Sequence, residues 1–475
     1  MPSSHNTHRQ GTRTARRIAA ALAAGLGLTL APTGALLQPL VRWLPAPQSE
    51  IADAPPILPP AAQLAALTTD SVRLERWGNA PPSLAWTETA LELIVKYRQN
   101  PLRAARVLAY VNVAAHDALA ECEARGCGDT ARRVSMHVAA GRMLEHLYPE
   151  EQPGRLRALA LGASAAVVAV HGEGADVAPS WRVGAATARS AIERALFDGS
   201  DAEWDVTDRP AAGPVIWRAA PPLLAHNPLE AAAPRWQTWV LKSGADVDVA
   251  EPPAFGSERY RAQTEEVLRT ARTLTPEQRR IAEDWNLGLG TVTPAGVWNK
   301  RAVELARSRG LTLRDTSRLF AAMNVAMYDA FIACWHAKLK WWTVRPVSVI
   351  RDSLDPQFTP LLVTPGFPAY PSGHATISAA AAEVLAAYLP GERAALEAAA
   401  AQAAESRLYG GIHFRADNDE GLALGRRIGQ RVAARALLSA GAQPMHAILP
   451  KKPANTLDRG MGFEGAFPPA GRAND

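Results

Sequence analysis

Two stretches of the sequence resemble each other and predict the fold. RVLAYVNVAAHDALAEC runs from Arg106 to Cys122, and RLFAAMNVAMYDAFIAC runs from Arg318 to Cys334. An asparagine, an aspartate and the final cysteine recur at matching positions: Asn112 and Asn324, Asp117 and Asp329, and Cys122 and Cys334. Each stretch carries apolar residues at the three- and four-residue spacing of a helix. Self-similarity at a fixed offset indicates that a helical unit has been duplicated.

A second pair of stretches extends the duplication. VGAATARSAIERAL begins at Val183 and LGRRIGQRVAARAL begins at Leu424, a wider separation than in the first pair, so the second copy contains extra residues. The composition is rich in alanine and the chain contains few β-branched runs, which favours helix. We therefore predict an all-α protein of two packed four-helix bundles. In the first copy the helical runs are expected at 86–125, 131–147, 155–170 and 181–197.

This organisation predicts five regions along the 475 residues. The first bundle is expected to be structural, because the candidate chemistry falls in the second. The regions are 1–35, a signal peptide or membrane anchor; 36–85, a Pro/Ala-rich linker; 86–260, the N-terminal bundle with an irregular cover; 261–448, the C-terminal bundle with the site; and 449–475, an extended tail.

The N-terminus has the features of an export signal. Five arginines and no acidic residue occur within residues 1–49, and an apolar run follows from Ile18 to Ala31. This length is typical of a signal peptide and short for a transmembrane span, and Thr33 and Ala35 supply small residues for cleavage. We expect export to the periplasm or the exterior. An uncleaved membrane anchor is the alternative, and membrane contact is expected only in that case.

The charge balance argues against a nucleic-acid partner. The formal net charge is +5, but the five N-terminal arginines account for it, leaving 46 basic and 46 acidic residues in the remainder. A neutral body without a basic stripe is not typical of nucleic-acid binding. Of the three cysteines, Cys122 and Cys127 are close enough in sequence to pair in an oxidising compartment, which leaves Cys334 over.

The first candidate site segment is FPAYPSGHAT, from Phe367 to Thr376. Ser372 precedes an alanine-rich run, Ala375 to Leu389, and serine before such a run is a helix N-cap signal. Free N–H groups and the partial positive charge of a helix N-terminus suit an anion. Ser372, the Gly373 amide and His374 thus form a candidate oxyanion site. A capping serine beside a surface histidine is the simpler explanation.

The second segment is KLKWWTVRP, which contains Lys338 and Arg345 seven residues apart. If a helix persists to Arg345, both cations project from one face, and Pro346 ends the element. Lys340 is the alternative lysine but lies off that face. Most such pairs are solvated surface charges. The apolar neighbours here favour burial and therefore a bound anion.

The third segment is ESRLYGGIHFRADNDEG, from Glu405 to Gly421. It supplies a third cation, Arg407, and then His413 after a glycine pair. Asp417 lies four residues further on and could accept the ring N–H of His413, which would fix its tautomer and basicity. A lone histidine is more often structural than catalytic, but this combination favours a functional one.

Together the three segments indicate a site for a multiply charged oxyanion. Three cations, hydrogen-bond donors from a helix start and two histidines match phosphate or its mimic vanadate. A histidine ring can attack phosphorus or coordinate vanadium. No acidic or cysteine cluster in the sequence suggests a divalent cation.

These segments resemble one superfamily, that of the vanadium-dependent haloperoxidases and type 2 phosphatidic acid phosphatases. The pattern K-x6-RP, then PSGH, then SR-x5-H-x3-D carries the resemblance, and from about residue 80 the chain is similar to the secreted bacterial haloperoxidase-like branch. The resemblance implies an all-helical fold and a vanadate cofactor. It also implies a role for each matching residue: His413 as the vanadium ligand, His374 as the acid–base group, and Lys338, Arg345, Ser372, Gly373 and Arg407 as the groups that hold the vanadate oxygens.

The resemblance implies two alternative activities. The first is a haloperoxidase that oxidises halide with hydrogen peroxide, in which His374 and Lys338 polarise the peroxide. The alternative is an acid phosphatase that hydrolyses phosphate monoesters through a phosphohistidine at His413. A non-catalytic anion-binding protein is a third hypothesis, which the pair of histidines disfavours. The sequence leaves a homodimer open.

Two stretches depart from the pattern of the family. Val297 stands where related sequences often carry histidine, and NLGLGT from Asn286 replaces a more usual DGPGT. Both are expected near the entrance of the site.

Overall fold

The computed structural model describes residues 39–45 and 74–438, and its regular secondary structure is helical. This confirms the predicted all-α class. The helices of the first copy are α1 (Pro82–Lys96), α2 (Pro101–Ala124), α3 (Asp129–Leu147), α4 (Arg155–His171) and α5 (Val177–Leu196). Then follow α6 (Glu258–Arg272) and α7 (Pro276–Asp284). The second copy contains α8 (Thr293–Arg309), α9 (Leu313–Trp341), α10 (Pro346–Ser353), α11 (Gly373–Tyr388), α12 (Arg393–Tyr409) and α13 (Arg415–Leu438).

The first predicted helix, 86–125, is in fact two helices. Asn100 stands between α1 and α2 in extended conformation, and its side chain accepts hydrogen bonds from the main-chain N–H groups of Leu102 and Arg103. Pro101 takes the first position of α2, where its missing N–H costs nothing. An asparagine cap followed by proline therefore restarts the helix, so the first copy has four helices after α1.

Paired polar side chains confirm the first repeat in three dimensions. Thr87 on α1 hydrogen-bonds Asn112 on α2 at 3.2 Å, and Asn299 on α8 hydrogen-bonds Asn324 on α9 at 2.7 Å. Both pairs are buried, where an unsatisfied amide would be costly. Each copy thus fixes its first helix to its second through the same two positions.

The second repeat is confirmed by a pair of glycines. Gly184 on α5 lies against the main-chain oxygen of Ser135 on α3, and Gly425 on α13 lies against that of Thr376 on α11. A methyl group at either glycine would overlap that oxygen. In the second copy Gly421 repeats the contact one turn earlier, against the main-chain oxygen at the start of α11. Close packing of α13 on α11 brings the third segment against the first.

We expect Gly425→Ala to lower the free energy of unfolding by about 1–3 kcal/mol, because overpacking at a helix crossing must push α11 and α13 apart. Thermal or denaturant unfolding measures this. Gly391→Ala is the matched control, since a methyl group there would meet no neighbouring atom. Equal stability of the Gly425 variant and the wild type would contradict the proposed close contact.

Each copy also contains a buried aspartate that binds the backbone of an incoming segment. Asp117 on α2 accepts hydrogen bonds from the N–H groups of Trp43 and Leu44, and Asp329 on α9 accepts them from residues 239–241. Burial raises the pKa of Asp117 to about 7. Residues 39–45 therefore pack into the core, although they lie inside the range predicted as a linker.

The irregular cover lies between α5 and α6. Residues 198–257 contain two short 3₁₀ turns, Val206–Asp208 and Ala233–Arg235, and otherwise no helix. Main-chain hydrogen bonds join Trp217 to Trp342 and Val344 to Val215, so the cover pairs with the chain that follows α9. This contact positions one of the site segments.

Several predictions fall on residues that the structure does not describe. The signal peptide at 1–35, most of the linker and the tail at 449–475 lie outside the described residues, and those predictions stand untested. Among the helices of residues 74–438, none is both long and apolar enough to span a bilayer. Cys122, Cys127 and Cys334 are buried free thiols.

Candidate active site

A cavity of about 610 Å³ reaches the second bundle beneath the irregular cover. The structure brings all the candidate residues together around its inner end. Gly373, His374, Arg407 and His413 line the cavity, and Lys338, Arg345, Ser372 and Asp417 are buried beside them.

The predicted helical face for Lys338 and Arg345 is wrong. Helix α9 ends at Trp341, and Trp342 adopts a left-handed conformation with φ of 47°. The chain then runs extended to Arg345, and Pro346 begins α10 instead of ending the element. The two cations still reach the same segment, because Lys338 binds main-chain oxygens within 368–371 and Arg345 binds that of Phe367.

The ammonium group of Lys338 is fully buried. Its Nζ donates to the main-chain oxygens of Pro368, Ala369 and Pro371 at 2.9, 2.8 and 2.6 Å. Burial lowers its pKa to about 7. Lys338 therefore holds the turn before Ser372. Its ammonium group could donate to an anion only by giving up one of these three hydrogen bonds to carbonyl oxygens.

Arg345 connects the first and third segments. Its Nε donates to the oxygen of Phe367 at 2.9 Å, and its Nη1 donates to the oxygen of Ile412 at 2.8 Å and to Nε2 of His413 at 3.0 Å. Its Nη2 is buried without a hydrogen-bond partner in the described structure. Burial lowers its pKa to about 10. A buried cationic donor without an acceptor indicates a place for an anion.

Ser372 is the N-cap of α11, as predicted, although the helix begins at Gly373 and not at Ala375. Its Oγ lies 3.5 Å from the N–H of Ala375, a long capping contact, and its own N–H donates to the main-chain oxygen of Asp417 at 2.8 Å. The first turn of α11 therefore stands directly against the third segment, with the Gly373 backbone on the cavity wall.

His374 is oriented by a backbone carbonyl. Its Nε2 lies 3.1 Å from the main-chain oxygen of Trp285, so Nε2 carries the hydrogen and donates it. Burial, and then the positive charge of Arg407, keep the pKa of His374 well below its usual value. The ring is therefore neutral near pH 7, and Nδ1 is the nitrogen that can accept a proton.

Arg407 lies in the last turn of α12 and faces the cavity. Its Nε donates to Oγ of Ser406 at 2.9 Å, and its Nη2 donates to the main-chain oxygen of Ala282 at 3.2 Å. Burial, and then the charge of Arg345, lower its pKa to about 9. The carbonyls of Ala282 and Trp285, at the end of α7, thus hold Arg407 and His374.

His413 and Asp417 form the predicted pair. Nδ1 of His413 donates to Oδ2 of Asp417 at 2.9 Å, and the N–H of Phe414 donates to the same oxygen at 3.0 Å. This fixes the neutral tautomer, so Nε2 of His413 carries a lone pair, which accepts from Arg345. Burial and the charge of Arg345 keep the pKa of His413 well below its usual value.

The charges around the site fit an oxyanion. Lys338, Arg345 and Arg407 are all buried, and each has a lowered pKa. The field of Asp417 acts on the first two, but burial raises the pKa of this carboxyl to about 6. Three buried cations beside one carboxylate leave an excess of positive charge that a vanadate or phosphate ion would balance.

Phe367 supports two of the cations in a way that the sequence did not reveal. Its ring centroid lies 4.9 Å from the guanidinium of Arg345 and 5.2 Å from Nζ of Lys338. An aromatic face stabilises a desolvated cation. Of the two departures from the family pattern, residues 286–289 do line the cavity, whereas Val297 is packed in the hydrophobic core on α8.

The sequence matches known proteins in its second half. The family model for the second helical-bundle domain of vanadium chloroperoxidase (VCPO) matches residues 318–397 and 392–440, which include all three site segments. The vanadium chloroperoxidase of Curvularia inaequalis is 36% identical over 107 residues, which are 19% of this chain and 17% of that protein. The match thus spans about a sixth of the length of this curated relative.

Solved structures match over most of both chains. A bacterial vanadium-dependent iodoperoxidase superposes with a TM-score of 0.62 at 25% identity, over 75% of this chain and 96% of that one. The apo form of a bacterial vanadium-dependent chloroperoxidase has the same fold, with a TM-score of 0.58 at 15% identity, over 72% and 95% of the two chains. These comparisons support the vanadium haloperoxidase superfamily for this chain, whose second half matches the family model and whose fold matches solved haloperoxidase structures.

Proposed function

We propose that the protein is a vanadium-dependent haloperoxidase that oxidises halide with hydrogen peroxide to hypohalous acid. The balanced reaction consumes one halide, one peroxide and one proton, and yields hypohalous acid and water. The observation that carries the proposal is the environment of His413. Its Nδ1 is held by Asp417, and its Nε2 lone pair lies among buried cations.

The residues present fit vanadate. Bound vanadate would supply a Lewis-acidic centre at which peroxide is activated toward halide. Arg345 offers its unpaired Nη2 to an oxyanion oxygen, Arg407 offers its guanidinium from the cavity wall, and the N-terminus of α11 offers the Gly373 amide. Nε2 of His413 would be the metal ligand. Lys338 adds charge from behind the turn at 368–371.

In this proposal, binding of an anion would release His413 from its hydrogen bond with Arg345. The guanidinium now donates to the Nε2 lone pair that a metal would use, at 3.0 Å. An oxyanion would compete with His413 for the Nη1–H of Arg345, because a charged acceptor makes a stronger hydrogen bond than a neutral ring nitrogen. Arg345 would then hold the anion, and Nε2 of His413 would be free to act as a ligand.

His374 is the proposed proton carrier. The Trp285 carbonyl occupies its Nε2–H, so proton transfer takes place at Nδ1. A neutral ring can take a proton from incoming peroxide and return it to the departing oxygen. The cations nearby stabilise the negative charge that develops during this exchange.

The same geometry supports a phosphomonoesterase as the second candidate. A carboxylate that holds Nδ1–H raises the nucleophilicity of Nε2, and three cations suit a transferred phosphoryl group. His413 would then form the phosphohistidine, and His374 would protonate the leaving alcohol.

An assay for both activities tests the proposal. Purified protein loaded with orthovanadate should brominate a phenol dye only when bromide and hydrogen peroxide are both present. Removal of vanadate by dialysis should reduce bromination to background, and adding it back should restore it. Vanadate-free protein is assayed in parallel with p-nitrophenyl phosphate. Vigorous hydrolysis with no bromination would favour the phosphatase and contradict the haloperoxidase.

We further propose that the protein is exported. The arginines near the N-terminus, followed by the apolar run from Ile18 to Ala31, support export. The proposed small-molecule substrates are hydrogen peroxide and halide.

A further inference from the structure

The end of α2 brings two cysteines together. The helix ends at Ala124, and Gly126 follows in left-handed conformation with φ of 73°. The N–H of Gly126 donates to the main-chain oxygen of Glu123 at 3.0 Å. The N–H of Cys127 donates to that of Cys122 at 2.9 Å. These two hydrogen bonds form a Schellman motif, in which the side chains at the positions of Cys122 and Cys127 frequently pack against each other.

The two cysteines are close enough for a disulfide. With ordinary bond lengths, the hydrogen bond of 2.9 Å between their backbones holds the two Cα atoms within about 7 Å. Cysteines farther apart than about 7 Å cannot be bridged without movement of the backbone. Both side chains belong to one buried cluster with Ala131 and Val183. Burial, and then a hydrogen bond between the two thiols, raise the pKa of Cys122.

The two thiols differ in their access to solvent. Cys122 is fully buried, whereas Cys127 is 9% exposed and stands between two exposed glycines at the surface of the molecule. Oxidation of a thiol depends on its exposure and on the fraction present as thiolate. The raised pKa of Cys122 keeps it protonated. A small oxidant from solvent would therefore react with Cys127 first.

The second copy lacks such a pair. Cys334 matches Cys122 in the repeat, but α9 continues to Trp341, and the residue that matches Cys127 is Leu339. Cys334 is fully buried, and its thiol donates to the main-chain oxygen of Pro371 at 3.6 Å. The chain contains three cysteines, so Cys334 has no thiol left to pair with. It serves as an internal control for the other two.

We propose that Cys127 and Cys122 are a redox pair that hydrogen peroxide converts to a disulfide. The thiolate of Cys127 attacks one peroxide oxygen, the O–O bond breaks, and Cys127 becomes a sulfenic acid while the other oxygen leaves as water. The sulfur of Cys122 then attacks that of Cys127, the S–O bond breaks, and a second water leaves with the thiol proton. In total, two thiols and one peroxide give one disulfide and two waters. Peroxide is sufficient for both steps, so the inference does not depend on the proposed haloperoxidase activity.

Peptide mapping tests the inference on the full-length, vanadate-free protein. The protein is fully reduced, freed of reductant, treated in its folded state with a small molar excess of hydrogen peroxide, and blocked with iodoacetamide. Trypsin cleaves after Arg125, between the two cysteines, so a disulfide would link peptide 107–125 to peptide 126–132. We expect this linked pair in mass spectra without reduction, a fall from three free thiols to one, and an unmodified Cys334.

Two variants test the order of the steps. In Cys122→Ala the second thiol is missing, so the sulfenic acid of Cys127 should persist and be trapped by dimedone. In Cys127→Ser the buried Cys122 should react with peroxide at least about tenfold more slowly than Cys127 does in the first variant. Circular dichroism checks that both variants fold, and the linked peptides of the wild type provide a measurement that needs no variant.

Each outcome supports or contradicts the inference. Three free thiols in the wild type after peroxide treatment, or a disulfide that includes Cys334, would overturn the pair. Equal oxidation rates of Cys122 and Cys127 in the two folded variants would overturn the order of the steps. The linked peptides are expected whether or not the protein brominates a phenol dye, so failure of the proposed function would leave this inference standing.

Discussion

Replacing His413 by alanine is expected to abolish bromination, with a loss in kcat/KM of more than about a thousandfold. The proposal uses the Nε2 lone pair of this ring as the metal ligand, and alanine leaves nothing in its place. The buried Nη1 of Arg345 and the carboxylate of Asp417 would lose their partner as well. Hydrolysis of p-nitrophenyl phosphate should be lost to the same degree if the protein is a phosphatase.

A matched histidine variant separates this effect from general damage. His146 is half-buried on α3 in the first bundle, and His146→Ala should keep wild-type activity. Both variants are checked by circular dichroism and thermal unfolding, so that a misfolded protein is recognised. Bromination or hydrolysis by folded His413→Ala protein at more than a few per cent of wild type would show that the site assignment is wrong.

The duplication could be predicted from the sequence because its evidence is local pattern. The first repeat is confirmed by the Thr87–Asn112 and Asn299–Asn324 pairs, and the second by the helix contacts of two glycines, one in each copy. The N-cap at Ser372 was also predictable, since capping is a property of a few neighbouring residues.

The path between Lys338 and Arg345 could not be predicted in the same way. Apolar flanks suggested burial, and both residues are buried. The left-handed turn at Trp342, however, depends on pairing with residues 215–217, in the irregular cover far earlier in the chain. Helical periodicity carries no information about such a contact, so the continuous helix was the wrong prediction.

Main-chain groups of the site were equally invisible in the sequence. The carbonyls of Ala282 and Trp285 hold Arg407 and His374, and those at 368–371 hold Lys338. Every residue type provides a carbonyl, so no motif marks these positions. The same reasoning applies to residues 39–45, whose backbone binds Asp117 although their composition predicts a linker.

Replacing Arg407 by methionine is expected to remove about half or more of the stabilisation that orthovanadate or phosphate gives to the wild-type protein. A ligand at a hundred times its Kd stabilises a protein by about 2.7 kcal/mol. Loss of a charge-assisted hydrogen bond costs about 1.5–3 kcal/mol, which weakens binding by roughly 10- to 100-fold. At the same anion concentration the variant would retain between about 0.4 and 1.4 kcal/mol.

The anion-free protein gives the reason for choosing Arg407. Burial and the nearby charge of Arg345 lower the pKa of Arg407 to about 9. Without an anion, the positive charge of this guanidinium is therefore destabilised by its surroundings. Methionine has a similar length and removes the charge. Arg279→Met on α7 is the control, because this arginine is exposed and its ion pair with Glu283 lies on the surface.

Thermal unfolding is measured for wild type and both variants across a series of orthovanadate and phosphate concentrations. If the anion raised the unfolding temperature of Arg407→Met as much as that of the wild type, the anion would bind elsewhere. A shift lost in Arg407→Met and kept in Arg279→Met would place the anion against the cavity wall beside His413, since Arg407 lines that wall.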